Sequence, residues 1–341
     1  MTAIGPAIDE LAAQIAGLTA ALGARVEVRD LGVLDRQGLL PLGPAGARIS
    51  PNGACRMFRA ADGWMALNLA RPEDAELLPA WLGEELAPGD PWPHVEALAR
   101  RRPCAQLVAQ AALLGLPASA VGEVAGELEA PRLALGRAVR RGDKVKVVDL
   151  TALWAGPLCG AVLAAMGAEV TRIESLRRPD PTRETTPEFF RRLNAGKAEL
   201  ALDLASDEGR QRLAELVSQA DVLLTSARPR AFPGLGLQPD AVFAANPGLV
   251  WTAITGYGVT GDAAMRAGFG DDTAAAGGLV AWSSDGEPGF LGDALSDPVT
   301  GLAAAAGTLR ALSAGGGVMV DAAMARCAAG AAGVCGLGVA A

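Results

Sequence analysis

Between Lys144 and Glu174 the spacing of apolar positions changes twice, from strand to helix and back. Val145, Val147, Val148 and Leu150 make the short β-branched run of a buried parallel strand, and Thr151 to Ala155 form a turn. Behind Gly156 and Pro157, where proline's missing N–H costs nothing, Leu158, Val162, Leu163 and Met166 recur at helical spacing. Gly167 closes the helix, and Val170 and Ile173 resume a strand. The stretch predicts one right-handed strand–helix–strand unit of about thirty residues.

Elsewhere the patterns are shorter. Ile8, Leu11, Ile15, Leu18 and Leu22 predict an amphipathic helix over residues 3–22, ended by Gly23. Residues 38–52 are rich in glycine and proline and read as loop. Met57-Phe58, the turn Ala61-Asp62-Gly63 and the run Trp64 to Leu69 predict a β-hairpin. Helices are expected over Glu73 to Trp81, Val95 to Arg101 and Cys104 to Leu114. The basic stretch from Arg132 to Lys146, with Arg137, Arg140, Arg141 and Lys144, reads as a solvated linker, and residues 177–187 as a charged loop long enough to be functional. Ser206 is placed to cap a helix with Asp207 and Glu208 in its first turn. Strands are expected over Asp221 to Thr225 and Leu249 to Thr255, an Ala-rich helix over Thr300 to Leu312, and a last strand over Gly317 to Asp321. The fold class implied is α/β, a Rossmann-like parallel-sheet domain over residues 143–341 preceded by a smaller α+β domain over residues 1–130 and a linker over 131–142.

Half of the 341 residues are apolar, ample for two cores. A net charge of −8 argues against nucleic acid or an anionic membrane as partner, while leaving room for a local basic patch around one polyanionic cofactor. Aromatics, at 4 %, are too few for the stacking platforms of a single-strand binder. Cys55, Cys104, Cys159, Cys327 and Cys335 are odd in number and contain no CxxC, so neither a disulfide framework nor a metal site is expected. The opening MTAIGPAIDELAAQ carries acids where a signal peptide carries positive charge, and no apolar run approaches the ~18 residues of a membrane span. A cytoplasmic protein is expected.

The helix start at Gly156 offers free N–H groups beside the end of a parallel strand, where anionic ligands settle. Only Gly156 and Gly160 stand where GxGxxG would need three glycines, so a dinucleotide is disfavoured, and Glu174 reads first as an acid at a strand end. The single histidine, His94, lies in a proline-flanked helix start with no GxSxG nearby, which disfavours Ser-His-Asp or Cys-His chemistry. Asp293 and Asp297 precede the Ala-rich helix. A carboxylate at a helix start is favoured in its ionised form by the dipole, as a nucleophile requires.

Several motifs occur in order: Asp149 to Glu174, Asn194-Ala195-Gly196-Lys197, Leu202-Asp203-Leu204, Ala220-Asp221-Val222, Ile254-Thr255-Gly256-Tyr257-Gly258, Asp297-Pro298-Val299-Thr300-Gly301 and Val320-Asp321. Together, over roughly residues 143–330, they resemble the class III CoA transferases, the superfamily of formyl-CoA transferase, carnitine CoA-transferase and α-methylacyl-CoA racemase. The stretches ADGWMALNLARPEDAELLPAWLG and LVAQAALLGLPASAVGEV are similar to that family's small domain, placed here before the nucleotide-type domain.

The resemblance implies coenzyme A transfer between carboxylic acids, with acyl-CoA and carboxylic acid as substrates, and a homodimer. It implies that the Asp297 carboxylate attacks a thioester to give a mixed anhydride and free CoA thiolate, and that the thiolate then forms an aspartyl-CoA thioester from which an acceptor takes CoA. It places Leu153, Trp154 and Ala155 along the CoA, Leu202 and Leu204 at the adenine, and Ser226, Ala227 and Arg230 at the nucleotide, although the family usually has asparagine and an aromatic where Ser226 and Ala227 stand. Arg177, Arg178 and Arg183 are candidates for the phosphates, with a solvated loop as the equal alternative. Backbone N–H groups of Gly256, Tyr257 and Gly258, or of residues 289–292, are candidates for oxyanion stabilisation. Where the racemases carry histidine this chain has Phe269, so two-base chemistry would fall to Asp271 or Asp272. The alternatives are an acyl-CoA racemase or isomerase using an aspartate base, or a non-catalytic CoA-binding subunit.

Overall fold

A computed structural model of the protein describes residues 2–40, 42–86, 88–139 and 144–337. Helix α1 (Gly5–Ala21) is the predicted amphipathic helix, and β1 (Cys55–Arg59) and β2 (Trp64–Asn68) are the predicted hairpin, with Met57 opposite Ala66. Helices α2 (Pro72–Glu76), α3 (Leu78–Leu82), α4 (Trp92–Ala99) and α5 (Cys104–Leu114) follow, and β3 (Ala118–Ala120) adds a third strand beside β2. The single helix expected from Glu73 to Trp81 is broken at Leu77, because Pro79 has no N–H to continue a helix and fits only the first turn of a new one.

Strand β4 (Arg132–Ala134) falls in the stretch expected to be a solvated linker, yet it pairs antiparallel with a later strand and its Leu133 packs against Met319. Arg140 and Arg141 of that stretch lie outside the described residues. Then come β5 (Lys146–Leu150), α6 (Ala155–Ala165) and β6 (Glu169–Ser175), the unit read from the hydrophobic pattern. They are followed by α7 (Thr182–Thr185), α8 (Pro187–Asn194), β7 (Ala198–Leu202), α9 (Asp207–Ser218), β8 (Val222–Thr225), α10 (Pro239–Ala245) and β9 (Val250–Thr255). Ser206 caps α9 as expected, its Oγ accepting from the Gly209 N–H at 3.0 Å.

The remaining elements are α11 (Gly270–Ala276), the short hairpin β10 (Val280–Trp282) and β11 (Pro288–Phe290), α12 (Ser296–Ser313), β12 (Val318–Ala323) and α13 (Met324–Val334). The Ala-rich helix therefore starts a turn earlier than Thr300: Pro298 sits in the first turn, whose N–H groups have no intrahelical partner anyway. The strand near 320 is not the last element. In α13 the space for a Cβ at Gly330 is filled by the backbone of Glu127 and Leu128, so glycine there marks a close approach and not a break.

The large sheet has seven strands in the order β4-β12-β9-β8-β5-β6-β7, parallel except for the β4 edge. Alternate residues serve opposite faces. Val147, Val222 and Leu224 join α6, α12 and α1 in one apolar cluster, while Val148, Leu223 and Trp251 join α9 and α10 in another. Ile4, Ile8, Leu11 and Ile15 belong to the first cluster, so the chain's opening helix packs along α12 in the large-sheet layers. Covered by the sheet on one side and by α1 on the other, α12 is buried along nearly its whole length. No helix among the described residues is long and apolar enough to cross a membrane.

Chain order explains where a ligand fits. From β5 the chain runs outward to β6 and β7, then returns across β5 to build β8, β9 and β12 on the other side. The loops after β5 and β8 thus diverge, and such a switch point leaves a crevice at the carboxyl ends of the two strands.

Candidate active site

Asp297 stands in the first turn of α12 and is 7 % exposed. The N-terminus of α6 meets it there: the Ala155 N–H donates to Asp297 Oδ1 at 3.2 Å. On its other side lies Gly270, where any Cβ would overlap Asp297 Oδ2. Two non-glycine residues with left-handed backbone, Leu153 at φ +65° and Ala294 at φ +43°, flank this contact. Such strain persists only where surrounding bonds enforce it. The Leu153 N–H donates to the buried Asp180 at 3.1 Å, and the Ala294 N–H to Asp271 at 2.7 Å.

Four carboxylates crowd this region. Burial pushes Asp297 up to about 7, with Arg36 and the Ala155 N–H pulling against it and Asp293 adding to it. Burial and then Asp293 raise Asp271 to about 7. Asp272 rises to about 7 through burial, against bonds from Phe269 N–H and Asn68. Asp293 rises to about 6 by burial, opposed by Arg36, and neither of its carboxylate oxygens has a hydrogen-bond partner among the described residues. Arg36 is the buried cation of the group.

At the switch point, Ser226 Oγ accepts from the Ala152 N–H at 3.0 Å, tying the β8 loop to the β5 loop. Beyond it lies an arginine cluster. Burial lowers the Arg228 pKa, the charges of Arg230, Arg71 and Arg178 lower it further, and Asp74, itself paired with Arg71, acts the other way. Arg228 Nη1 is buried without a hydrogen-bond partner among the described residues. Arg71 pairs with Asp74 and donates from Nη2 to the Gly115 carbonyl at 2.9 Å, and a Cβ at Gly115 would lie 3.1 Å from Arg228 Nη1, so the small region reaches this site. An unpaired buried donor among like charges is what an anion would satisfy.

Residues 143–334 match the family profile described as CoA-transferase family III, more than half of the 341-residue chain. The chain belongs to CoA-transferase family III. It is 35 % identical over 179 residues to a succinyl-CoA–D-citramalate CoA-transferase of Chloroflexus aurantiacus, covering 50 % of this chain and 44 % of that one. It is 30 % identical over 192 residues to human succinyl-CoA:glutarate CoA-transferase, covering 52 % and 44 % respectively. A solved hypothetical protein from Mycobacterium tuberculosis superposes with a TM-score of 0.52 at 32 % identity over 58 % of each chain. A CAIB/BAIF family protein from Brucella suis gives a TM-score of 0.50 at 32 % identity, over 55 % and 54 % of the two chains. The chain spans about half the length of the curated relatives it matches.

Set on the family III fold, the residues proposed from sequence divide into groups. Trp154, Ala155 and Asp297 come together, as do Arg178 and Arg230, while Ser226 serves the loop between them. Ala227, Leu202 and Leu204 pack half-buried against the second apolar cluster. Arg177 pairs with Asp203 at 2.9 Å on the surface. Arg183 is held by Glu174 and Glu199 at 2.9 and 3.1 Å, and so its charge is already met by two acids. Burial opposes it, yet bonds from Arg172, the Asp180 N–H and Arg183 hold Glu174 down at about 2.

Two oxyanion candidates are corrected. The Gly258 N–H is spent on Thr255 Oγ1 at 2.8 Å and the Phe290 N–H on the Ala47 carbonyl at 2.8 Å, so neither is free to donate. Gly256 abuts Gly268, and the Tyr257 ring is covered by the Arg266 guanidinium at 3.7 Å.

Sequence reasoning missed Arg36, Arg71 and Arg228, and left Asp271 outside the reaction it favoured. Arg228-Pro229-Arg230, directly after a predicted strand, was the available signal for Arg228. Arg36 lies more than 100 positions from the segments it joins and no local pattern marks it, while Arg71 bonds Asp74 and the Gly115 carbonyl, 44 positions on.

Proposed function

We propose that this protein is a class III CoA-transferase that moves coenzyme A between carboxylic acids through an aspartyl-CoA thioester at Asp297. The observation that carries this reading is the buried Asp297 carboxylate, fixed by the Ala155 N–H at the start of two helices, with Arg228 Nη1 left without a partner among the described residues after β8, whose loop Ser226 ties to the β5 loop. The carboxylate adds to the acyl-CoA carbonyl and the C–S bond breaks, leaving a mixed anhydride and CoA thiolate. The thiolate attacks the aspartyl carbonyl, which expels the donor acid. The acceptor carboxylate attacks the aspartyl thioester and frees the thiolate, and thiolate attack on the new anhydride's acyl carbonyl yields acyl-CoA and restores Asp297. No proton moves, and each intermediate is as activated as the one before, so the sequence is reversible.

Incubation with a panel of acyl-CoAs, followed by mass spectrometry of the intact protein, tests the reading. An adduct of CoA mass on Asp297 supports it, and its absence with every donor removes it. Because the nucleophile must be ionised and Asp297 titrates at about 7, kcat/KM is expected to rise tenfold per pH unit below that value and to level off above it. A flat profile between pH 5 and about 8 would contradict the assignment.

The arginine cluster is assigned to the phosphates of CoA. Saturating CoA at about a hundred times Kd should add about 2.7 kcal/mol of stability, visible as a thermal shift. Arg228→Gln is expected to weaken CoA binding by at least about tenfold, since a charge-assisted bond is lost. Equal shifts in variant and wild type would place the phosphates elsewhere.

One observation favours a second reading, α-epimerisation of an acyl-CoA. Asp271 and Asp297 both titrate at about 7 within one cluster, as a pair of acid and base groups would. Exchange of the substrate α-hydrogen in heavy water without an adduct on Asp297 would select it.

A further inference from the structure

Arg36 lies in the loop after α1, outside the residues that match the family profile. It is 4 % exposed. Its guanidinium lies over the ring of Trp154 at 5.1 Å and beside that of Phe189 at 5.8 Å, while its Nη1 donates to the Asp293 carbonyl. Trp154 immediately precedes Ala155, whose N–H holds Asp297, and Asp293 immediately precedes the strained Ala294. One side chain therefore touches both segments on which the Asp297 geometry depends.

A cation buried this deeply is costly unless its charge is answered. Here the charges of Asp297, Asp293 and Asp271 act on it, in that order of strength. The groups facing Asp297 are Arg36 from the N-terminal loop, Asp293 from the turn before α12, Asp271 on α11 and the Ala155 N–H of α6. Asp272, also on α11, is turned to Asn68 and the Phe269 N–H. Arg36 is thus the one positive side chain acting on the Asp297 carboxylate among these neighbours. A planar guanidinium suits the place, since it stacks on an aromatic face while donating in its own plane, which an ammonium cannot do.

We infer that Arg36 is the positioning residue of this site: stacked on Trp154 and bonded to the Asp293 carbonyl, it locks together the two segments that hold Asp297 and keeps that carboxylate charged for attack. The role rests on the transferase reading of Asp297 but is measurable without turnover. It also means that a segment preceding the family-matched region completes the site.

The experiment titrates protein labelled with 13C at the aspartate carboxyls by NMR, with Asp297→Asn to assign the Asp297 signal, alongside pH profiles of transfer. In Arg36→Met the Asp297 midpoint and the acid limb of kcat/KM are both expected to rise by about one pH unit or more, with KM for acyl-CoA within about threefold of wild type. Arg36→Lys, which keeps the charge, should titrate within about half a unit of wild type and still lose rate through the missing stack. If Arg36→Met does not fold, Arg36→Gln, which retains a donor for the Asp293 carbonyl, is expected to show the same rise. An unmoved Asp297 midpoint in these neutral variants would overturn the inference. A raised midpoint in a protein that transfers CoA from no donor would uphold Arg36 and sink the transferase reading instead.

Discussion

Asp297→Asn is expected to reduce CoA transfer by at least about a thousandfold while CoA still binds with wild-type affinity, because the amide keeps the size and the acceptor for the Ala155 N–H but is no nucleophile. With wild type, acyl-CoA and hydroxylamine together should leave a hydroxamate on Asp297, since hydroxylamine attacks an enzyme-bound thioester or anhydride and not a free carboxylate. The variant should leave none. Stability should move the other way. Asp297 has a folded pKa of about 7, above its ordinary value of 3.8, so its contribution to stability is fully present below about 3.8 and is lost as pH rises through 7. The amide carries no such loss, and Asp297→Asn is expected to melt above wild type at pH 8 and near it at pH 4. A variant that retained transfer, or that melted below wild type at pH 8, would contradict the assigned chemistry or the assigned burial.

Gly270→Ala is the second large effect, and it is steric. The added methyl would overlap Asp297 Oδ2 and Ala294 Cβ and come within 2.9 Å of Ala294 Cα. None of these is the free end of a flexible side chain: Asp297 is bonded to Ala155, and Ala294 to Asp271. The methyl must displace the carboxylate or α11, and a displacement of about 1 Å in a reacting group is enough to cost about a hundredfold in rate. Transfer is expected to fall by about that factor or more, and stability by about 1–3 kcal/mol, as for other overpacked sites. Gly17→Ala, a helical position in α1 with open space around it, is the control and should be neutral or slightly stabilising, by up to about 1 kcal/mol. Equal rates in the two variants would show that Gly270 does not shape the site.

The hydrophobic pattern was enough to define the parallel unit, because strand and helix periods are local properties: Val147 and Val148 alternate between two apolar clusters, and Leu158, Val162 and Leu163 return to one. The ordered motifs carried the family, and that resemblance, not spacing, singled out Asp297 as the candidate nucleophile, while Pro298 hid where its helix begins. The crevice between β5 and β8 depended on strand order, which pairing across the sheet decides and which no window of sequence records. The electrostatics were equally non-local. Arg36, Arg71 and Arg228 look like ordinary surface residues in sequence, where Arg177 and Arg183 looked like the better phosphate ligands. Folding paired Arg177 and Arg183 with acids, as it also paired Arg71 with Asp74, but it buried Arg36 against Trp154 and left Arg228 with an unanswered donor. Spacing along the chain determines which residue types share a helix face or a strand end. Which charges lose water, and which lose their partners with it, was decided only when Arg36 of the N-terminal loop packed on Trp154 beyond β5 and Gly115 of the small region came against Arg228 beyond β8.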